Sequence, residues 1–235
     1  MDRSSTMGPT AVTATVEELV ARAGQLAARH ARTVVGIVGA PGAGKSTVCD
    51  ALGAALGRRT VVVGMDGFHL DDTVLRALGR RDRKGAPDTF DVAGYVALLH
   101  RLRGTHDEVV YAPRFDRGIE ASLAGAVPVP RTVPLVVTEG NYLLHTADGW
   151  QDVRPLLDEV WFVDVPTPER VRRLVARRTS YGDSPADALA WVTGVDEANA
   201  ATVLAGRDRA DLVVRLADAP RPVPPAPPAG PRRPS

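Results

Sequence analysis

The stretch VVGIVGAPGAGKSTVCDAL, Val34–Leu52, decides the fold. Its opening VVGIVG is apolar or small at every position, the pattern of a strand covered on both faces inside a parallel sheet. Its close, continued as TVCDALGAALG, reads as a helix with Gly57 as its stop. Between them Gly39-Ala40-Pro41-Gly42-Ala43-Gly44-Lys45-Ser46 fits the pattern G-x-x-x-x-G-K-[ST]. A glycine loop between strand and helix turns backbone N–H groups toward one point and adds the positive end of the helix dipole. The expected occupant is the phosphate chain of a nucleoside triphosphate. Lys45 would reach its β- and γ-phosphates, the Ser46 hydroxyl would hold Mg²⁺, and Thr47 would touch the α-phosphate. Gly42 and Gly44 let the backbone approach where a Cβ would collide.

The rest of the composition narrows the partners. The chain has 235 residues, with 29 Lys and Arg against 28 Asp and Glu. A net charge of +1 gives no reason to expect a nucleic acid or an anionic membrane surface. Lysine occurs only at Lys45 and Lys84, so a chain that otherwise uses arginine places one of its two lysines in the glycine loop. The single cysteine, Cys49, excludes an intrachain disulfide framework and fits a reducing compartment. No apolar run approaches the roughly 18 residues of a membrane span, and the first residues lack a basic-then-apolar signal pattern. The expected location is the cytoplasm, and a homodimer is compatible with this composition.

Further apolar runs lie at 60–66, 109–116, 133–140, 159–166 and 210–216, with helical patterns between several of them. Another helix, in VEELVARAGQLAARHA, precedes the loop, with Val16, Leu19, Val20, Ala23 and Leu26 on one face. Alternating strands and helices predict a three-layer α/β/α fold around a mostly parallel sheet, with chemistry at the carboxyl ends of the strands. Three of those ends carry a carboxylate: Asp66, Glu139 and Asp164. Residues 1–14 are small and polar without a period and read as disordered. The proline-dominated stretch 218–235 reads as a disordered tail.

Three later segments qualify the loop: VVGMDGFHLDD (62–72), RRDRKGAPDTFDV (80–92) and VVTEGNYLL (136–144). With the loop they resemble the superfamily of uridine kinases, phosphoribulokinases and bacterial pantothenate kinases. There one strand ends in Asp-[Ser/Gly]-Phe-[Tyr/His], a loop reads Pro-[Asp/Glu]-x-[Phe/Tyr]-Asp, and another strand ends in Glu-Gly. The counterparts here are Asp66-Gly67-Phe68-His69, Pro87-Asp88-Thr89-Phe90-Asp91 and Glu139-Gly140. The resemblance runs from about residue 33 to residue 215. It implies a P-loop NTPase fold over 15–217 with a small helical lid at about 173–186. It also implies an ATP- and Mg²⁺-dependent kinase acting on a hydroxyl of a small metabolite.

The resemblance assigns further roles. Asp66 is the candidate for taking the acceptor's proton, with Asp88 next in line, since transfer to an alcohol needs a carboxylate and cations around the equatorial oxygens. Glu139 stands where a carboxylate holds Mg²⁺ through water or orients the acceptor. Asp88, Tyr111, Arg114, Asp116 and Arg117 fall in acceptor-binding segments, and His69 could hydrogen-bond the acceptor. VVYAPRFDR departs from the patterns of the named kinases, so neither uridine nor pantothenate is carried over as substrate. Arg170, Arg173 and Arg177 share a helical face, and Arg173 and Arg177 are the choices for contacting the transferring phosphate. Asn199 and Arg207 could flank the adenine, and Trp150, Trp161 and Trp191 read as core or pocket wall. Two rival readings stay open: a kinase whose acceptor is a nucleoside monophosphate, and a nucleotide-binding regulatory module with slow hydrolysis.

Overall fold

Burial on both faces separates the central strands from the rest. The computed structural model describes Pro9 and residues 11–29, 32–104 and 106–217. Its strands are Ala11–Ala14 (β1), Thr33–Val38 (β2), Thr60–Gly64 (β3), Val109–Asp116 (β4), Ala121–Pro130 (β5), Leu135–Gly140 (β6), Glu159–Val163 (β7) and Leu212–Leu216 (β8). Every residue of β2 and of β7 is buried. Six strands form one parallel sheet in the order β1-β8-β7-β2-β6-β3, with β2 between β7 and β6.

Alternation along β2 divides the core. Val35 and Ile37 pack with Leu19, Ala23, Val48 and Leu52, which belong to helices Val16–Leu26 (α1) and Lys45–Leu56 (α2). Val34 and Val38 point to the other face, into a cluster with Tyr95, Leu99, Trp150 and Phe162. Asp72–Ala77 (α3) precedes Val92–Arg103 (α4), which buries Tyr95, Leu98, Leu99 and Leu102 on that second face. Thr15 opens α1 with a capping box: its hydroxyl accepts from the Glu18 N–H while the Glu18 carboxylate accepts from the Thr15 N–H.

Register places the chemistry. Glu139 of β6 pairs with Ile37 of β2 on one side and with Gly64 of β3 on the other. The glycine loop, Glu139 and the turn carrying Asp66 therefore leave three neighbouring strands side by side, at the carboxyl edge where ligands of open α/β sheets bind.

Two expectations change. Residues 11–14 are not part of a disordered start: they form β1, which pairs Ala11–Ala14 with Val213–Leu216. Residues 109–116 do not join the main sheet; β4 pairs antiparallel with β5 in a separate two-stranded arm, with a register shift between Ala112 and Arg114. The cause lies at Pro113 between them, because proline has no N–H to give a central strand. The segment expected as a lid, about 173–186, runs from within Thr167–Ser180 (α5) through a short turn into Pro185–Trp191 (α6), which continues through a π-helical turn at Val192–Asp196 into Glu197–Leu204 (α7). The 218–235 tail, residues 1–8 and residue 10 lie outside the described residues. Among the described residues no helix is long and apolar enough to cross a membrane.

Candidate active site

The glycine loop is held from behind. Ala40 and Ala43 are buried beneath it, and the Ala43 N–H donates to the Ala40 carbonyl at 3.0 Å. Gly42 has φ +79° and Gly44, the residue before α2, has φ +90°. A Cβ on Gly42 would sit 2.9 Å from the Arg170 carbonyl oxygen, and one on Gly39 2.8 Å from that of Val163. Only glycine lets the loop nest this closely. No side chain caps the start of α2, so its first N–H groups remain for an anion.

Lys45 is buried, and its ammonium donates to the Gly39 carbonyl at 3.0 Å and to Asn141 Oδ1 at 2.8 Å. Glu139 Oε1 is 3.9 Å away. Burial lowers the Lys45 pKa from the ordinary lysine value, opposed by the charges of Glu139 and Asp66. The Glu139 pKa is raised by burial, partly offset by Lys45. Each charge is thus unfavourable alone and supported by the other.

A cleft of about 490 Å³ opens over these groups. Pro41, Gly42, Gly44, Lys45, Ser46 and Thr47 line one wall; Asp66, Arg114, Arg117 and Glu139 line the other; Arg173 and Arg177 reach in from α5. Arg117 Nη2 donates to Asp66 Oδ2 at 3.1 Å. Arg173 donates to Glu169 at 2.8 Å and to the Gly42 carbonyl at 3.4 Å. Among the described residues Arg114 and Arg177 form no ion pair.

A second hollow of about 700 Å³ adjoins the first and shares Pro41, Asp66, Phe115, Arg117, Asn141 and Arg177 with it. His69 lies here, with Nδ1 2.8 Å from the Asp66 carbonyl oxygen and its ring between Phe90 and Phe115 at centroid distances of 4.1 and 4.8 Å. Burial lowers its pKa, so the ring is held neutral. Trp191 and Asn199 line the lid side.

Other candidates lie elsewhere. Asp88 lines neither hollow; Arg80, at 3.4 Å, and Arg83 hold its carboxylate. Tyr111 is 58% exposed on β4 and also lines neither. Asp116 accepts from the Gly118 N–H at 2.8 Å. Arg207 pairs with Asp164 at 3.5 Å, and Arg215 joins them at 3.2 Å, which gives that strand-end carboxylate a structural partner set. Arg170 faces inward at 1% exposure, donating to Glu197 at 3.0 Å and to the Pro41 carbonyl at 3.3 Å. Asn141, Lys84 and Phe115 were not singled out by the sequence. Asn141 directly follows the Glu139-Gly140 pair and was the one within reach of a pattern argument.

The donor set suits a divalent ion delivered with phosphates. Mg²⁺ takes one or two protein oxygens and leaves its other positions to phosphate and water. Ser46, Asp66 and Glu139 offer such oxygens around one cleft, whereas no self-sufficient group of three His, Cys, Asp or Glu occurs among the described residues.

Known proteins resemble the chain in sequence and in fold. A sequence profile of the methylmalonyl Co-A mutase-associated GTPase MeaB family matches residues 7–68, the glycine loop and its flanking elements only. A solved structure from Silicibacter sp. TM1040, provisionally named a fructose transport system kinase, is 39% identical, covers 85% of this chain and 98% of its own, and superimposes with a TM-score of 0.77. The Escherichia coli protein YggC is 32% identical over 80% of this chain and 79% of its own. A Schizosaccharomyces pombe protein provisionally named a uridine kinase is 33% identical, and the match spans 64% of its length. The chain belongs to the P-loop kinase superfamily of the uridine and pantothenate kinases.

Proposed function

We propose that the protein transfers the γ-phosphate of ATP to a hydroxyl of a small metabolite, with Mg²⁺. The observation that carries this reading is the junction of the two hollows at Asp66 and Arg177. One hollow has the phosphate-binding loop, the other has room for a small molecule, and a carboxylate stands between them.

In this reading the first N–H groups of α2 and the Lys45 ammonium hold the triphosphate, and Lys45 exchanges Asn141 and the loop carbonyls for phosphate oxygens. Ser46 and Glu139 would hold Mg²⁺, which would supply positive charge to neutralise the phosphates. The acceptor oxygen forms a bond to the γ-phosphorus as the bond from that phosphorus to the ADP oxygen breaks. The hydroxyl proton passes to Asp66, whose carboxylate Arg117 orients through the 3.1 Å bond. Arg177, with no ion pair among the described residues, is placed to meet the equatorial oxygens, and Arg173 supports it beside the loop.

The test is Asp66→Asn, which keeps shape and removes the base. Acceptor-dependent ADP release should fall about 10²–10⁴-fold while calorimetric ATP affinity is retained. Unchanged turnover would sink the assignment, and a loss confined to nucleotide and metal affinity, relieved by excess Mg²⁺, would make Asp66 a metal ligand instead.

A further inference from the structure

The second hollow holds positive charge that phosphoryl transfer itself does not need. Lys84 has a side chain only 9% exposed. Its ammonium donates to Asp72 Oδ1 at 2.7 Å and to the Glu120 carbonyl at 3.2 Å, which accounts for two of its three N–H donors. Asp72 does not belong to Lys84 alone. The same carboxylate takes Arg81 at 2.7 Å and Arg76 at 3.6 Å, so one negative charge faces three positive ones.

Arg117 approaches from the arm. Lys84 Nζ lies 5.3 Å and Arg117 Cζ 5.8 Å from the centroid of the Phe115 ring, so the two cations converge on one side chain. Arg117 spends one bond on Asp66, and the rest of its donor fork is unassigned among the described residues. The acids facing this space are Asp66 and Glu120 near the arm, and Asp183 and Asp196 at the lid end. Glu120 is exposed, Asp183 is matched by Arg178 at 2.6 Å, and the charges of Arg177 and Arg178 oppose that of Asp196, so lid cations balance the lid-end acids and leave Lys84, Arg81 and Arg117.

Surplus charge of one sign in a partly enclosed hollow is unfavourable until a counter-ion arrives, and it raises the local concentration of that ion. We propose that the acceptor is itself an anion: a hydroxyl-bearing carboxylate or phosphate ester whose charged group is held by Lys84, Arg81 and Arg117 while its hydroxyl lies at Asp66. This rests on the kinase reading above. The Arg117–Asp66 bond links the two ends of the acceptor, because the cation that reads its charge also touches the base.

The experiment uses matched acceptors that differ by the anionic group: glycerol against glycerate, ribose against ribose 5-phosphate, pantothenol against pantothenate. At least one anionic member should exceed its neutral partner in kcat/KM by about 10–100-fold, the scale of a charge-assisted hydrogen bond. Whether the carboxylates or the phosphate ester respond identifies the anion. For that acceptor Lys84→Met should raise KM by about tenfold or more with a much smaller change in KM for ATP, and Lys84→Arg should keep most of the preference. Equal kcat/KM for both members of every pair overturns this inference and leaves the kinase reading standing. A Lys84→Met effect on ATP rather than on the acceptor also overturns it, by assigning the charge to the nucleotide. No acceptor-stimulated ADP release from any pair overturns the kinase reading and this inference with it.

Discussion

The two walls of the cleft are built differently. The nucleotide wall is backbone: Gly39, Gly42 and Gly44 press against neighbouring carbonyls or take positive φ, and its lysine comes from the first residue of α2. The facing wall and the hollow beside it are side chains held by ion pairs, Arg117 on Asp66 and Lys84 and Arg81 on Asp72, and outside both hollows Arg80 and Arg83 hold Asp88 in the same way. Backbone nests serve any triphosphate and tolerate no substitution, whereas ion pairs can be exchanged singly. One wall is therefore fixed by steric necessity, and the other can differ among proteins that share the loop.

The largest expected effect falls on the nucleotide wall. Lys45→Met should reduce turnover about 10²–10³-fold, the loss typical of removing one donor aimed at developing charge. The protein should still fold, since the change removes a buried charge along with its cost, although Glu139 loses its nearest cation. Circular dichroism beside acceptor-dependent ADP release checks both; a variant with wild-type turnover would show that the loop does not carry the reaction.

A second comparison sets the backbone loop against one of the ion-pair sets. Gly42→Ala places a methyl 2.9 Å from the Arg170 carbonyl at φ +79°, so urea unfolding should show a loss of about 1–3 kcal/mol. Asp88→Asn breaks only a partly exposed ion-pair set and should lose less than about 1 kcal/mol. The reverse order would refute the contrast between a backbone wall and a side-chain wall.

How much of this was legible in the sequence follows the same division. The loop lies in consecutive residues, so G-x-x-x-x-G-K-[ST] displays it whole. Asp66 and Glu139 could be read because each ends an apolar run. The arm could not be read in full: β5 carries Pro128 and Pro130 and resembles a connecting segment, although Pro113 already argued against placing 109–116 in a central sheet. β1 is four residues long and gains its order from pairing with β8, distant in sequence. Lys84 finds its partners 12 and 36 residues away, and no local pattern encodes that convergence. The arginine stripe of α5 was visible as spacing, but spacing did not say that Arg170 faces the interior and Arg173 the loop.

The smallest effect concerns the charge balance under the loop. Glu139 has a raised pKa in the folded protein, so its ionised form is disfavoured there relative to the unfolded chain. Its protonation stabilises the fold at low pH, and that contribution is lost as pH rises through the raised value. Glu139→Gln should therefore match the wild type below about pH 4.5 and exceed it increasingly above. At neutral pH the variant should have the higher Tm. Thermal unfolding of the ligand-free protein across pH reads this out; a loss that grows with pH would mean that the Lys45 attraction outweighs burial.

Arg170 makes α5 a lever with an off-centre fulcrum. Its guanidinium ties the first turn of the helix to Pro41, Thr167 and Glu197, while the far end at Ser180 leads into an exposed turn. At 1.5 Å per residue, Arg173 lies about 4.5 Å and Arg177 about 10 Å beyond that fulcrum, so a rigid tilt of ~20° would carry them about 1.5 and 4 Å. Under such a tilt the two arginines would differ in stroke: Arg173 would stay beside Gly42, and Arg177 would cross the junction of the two hollows.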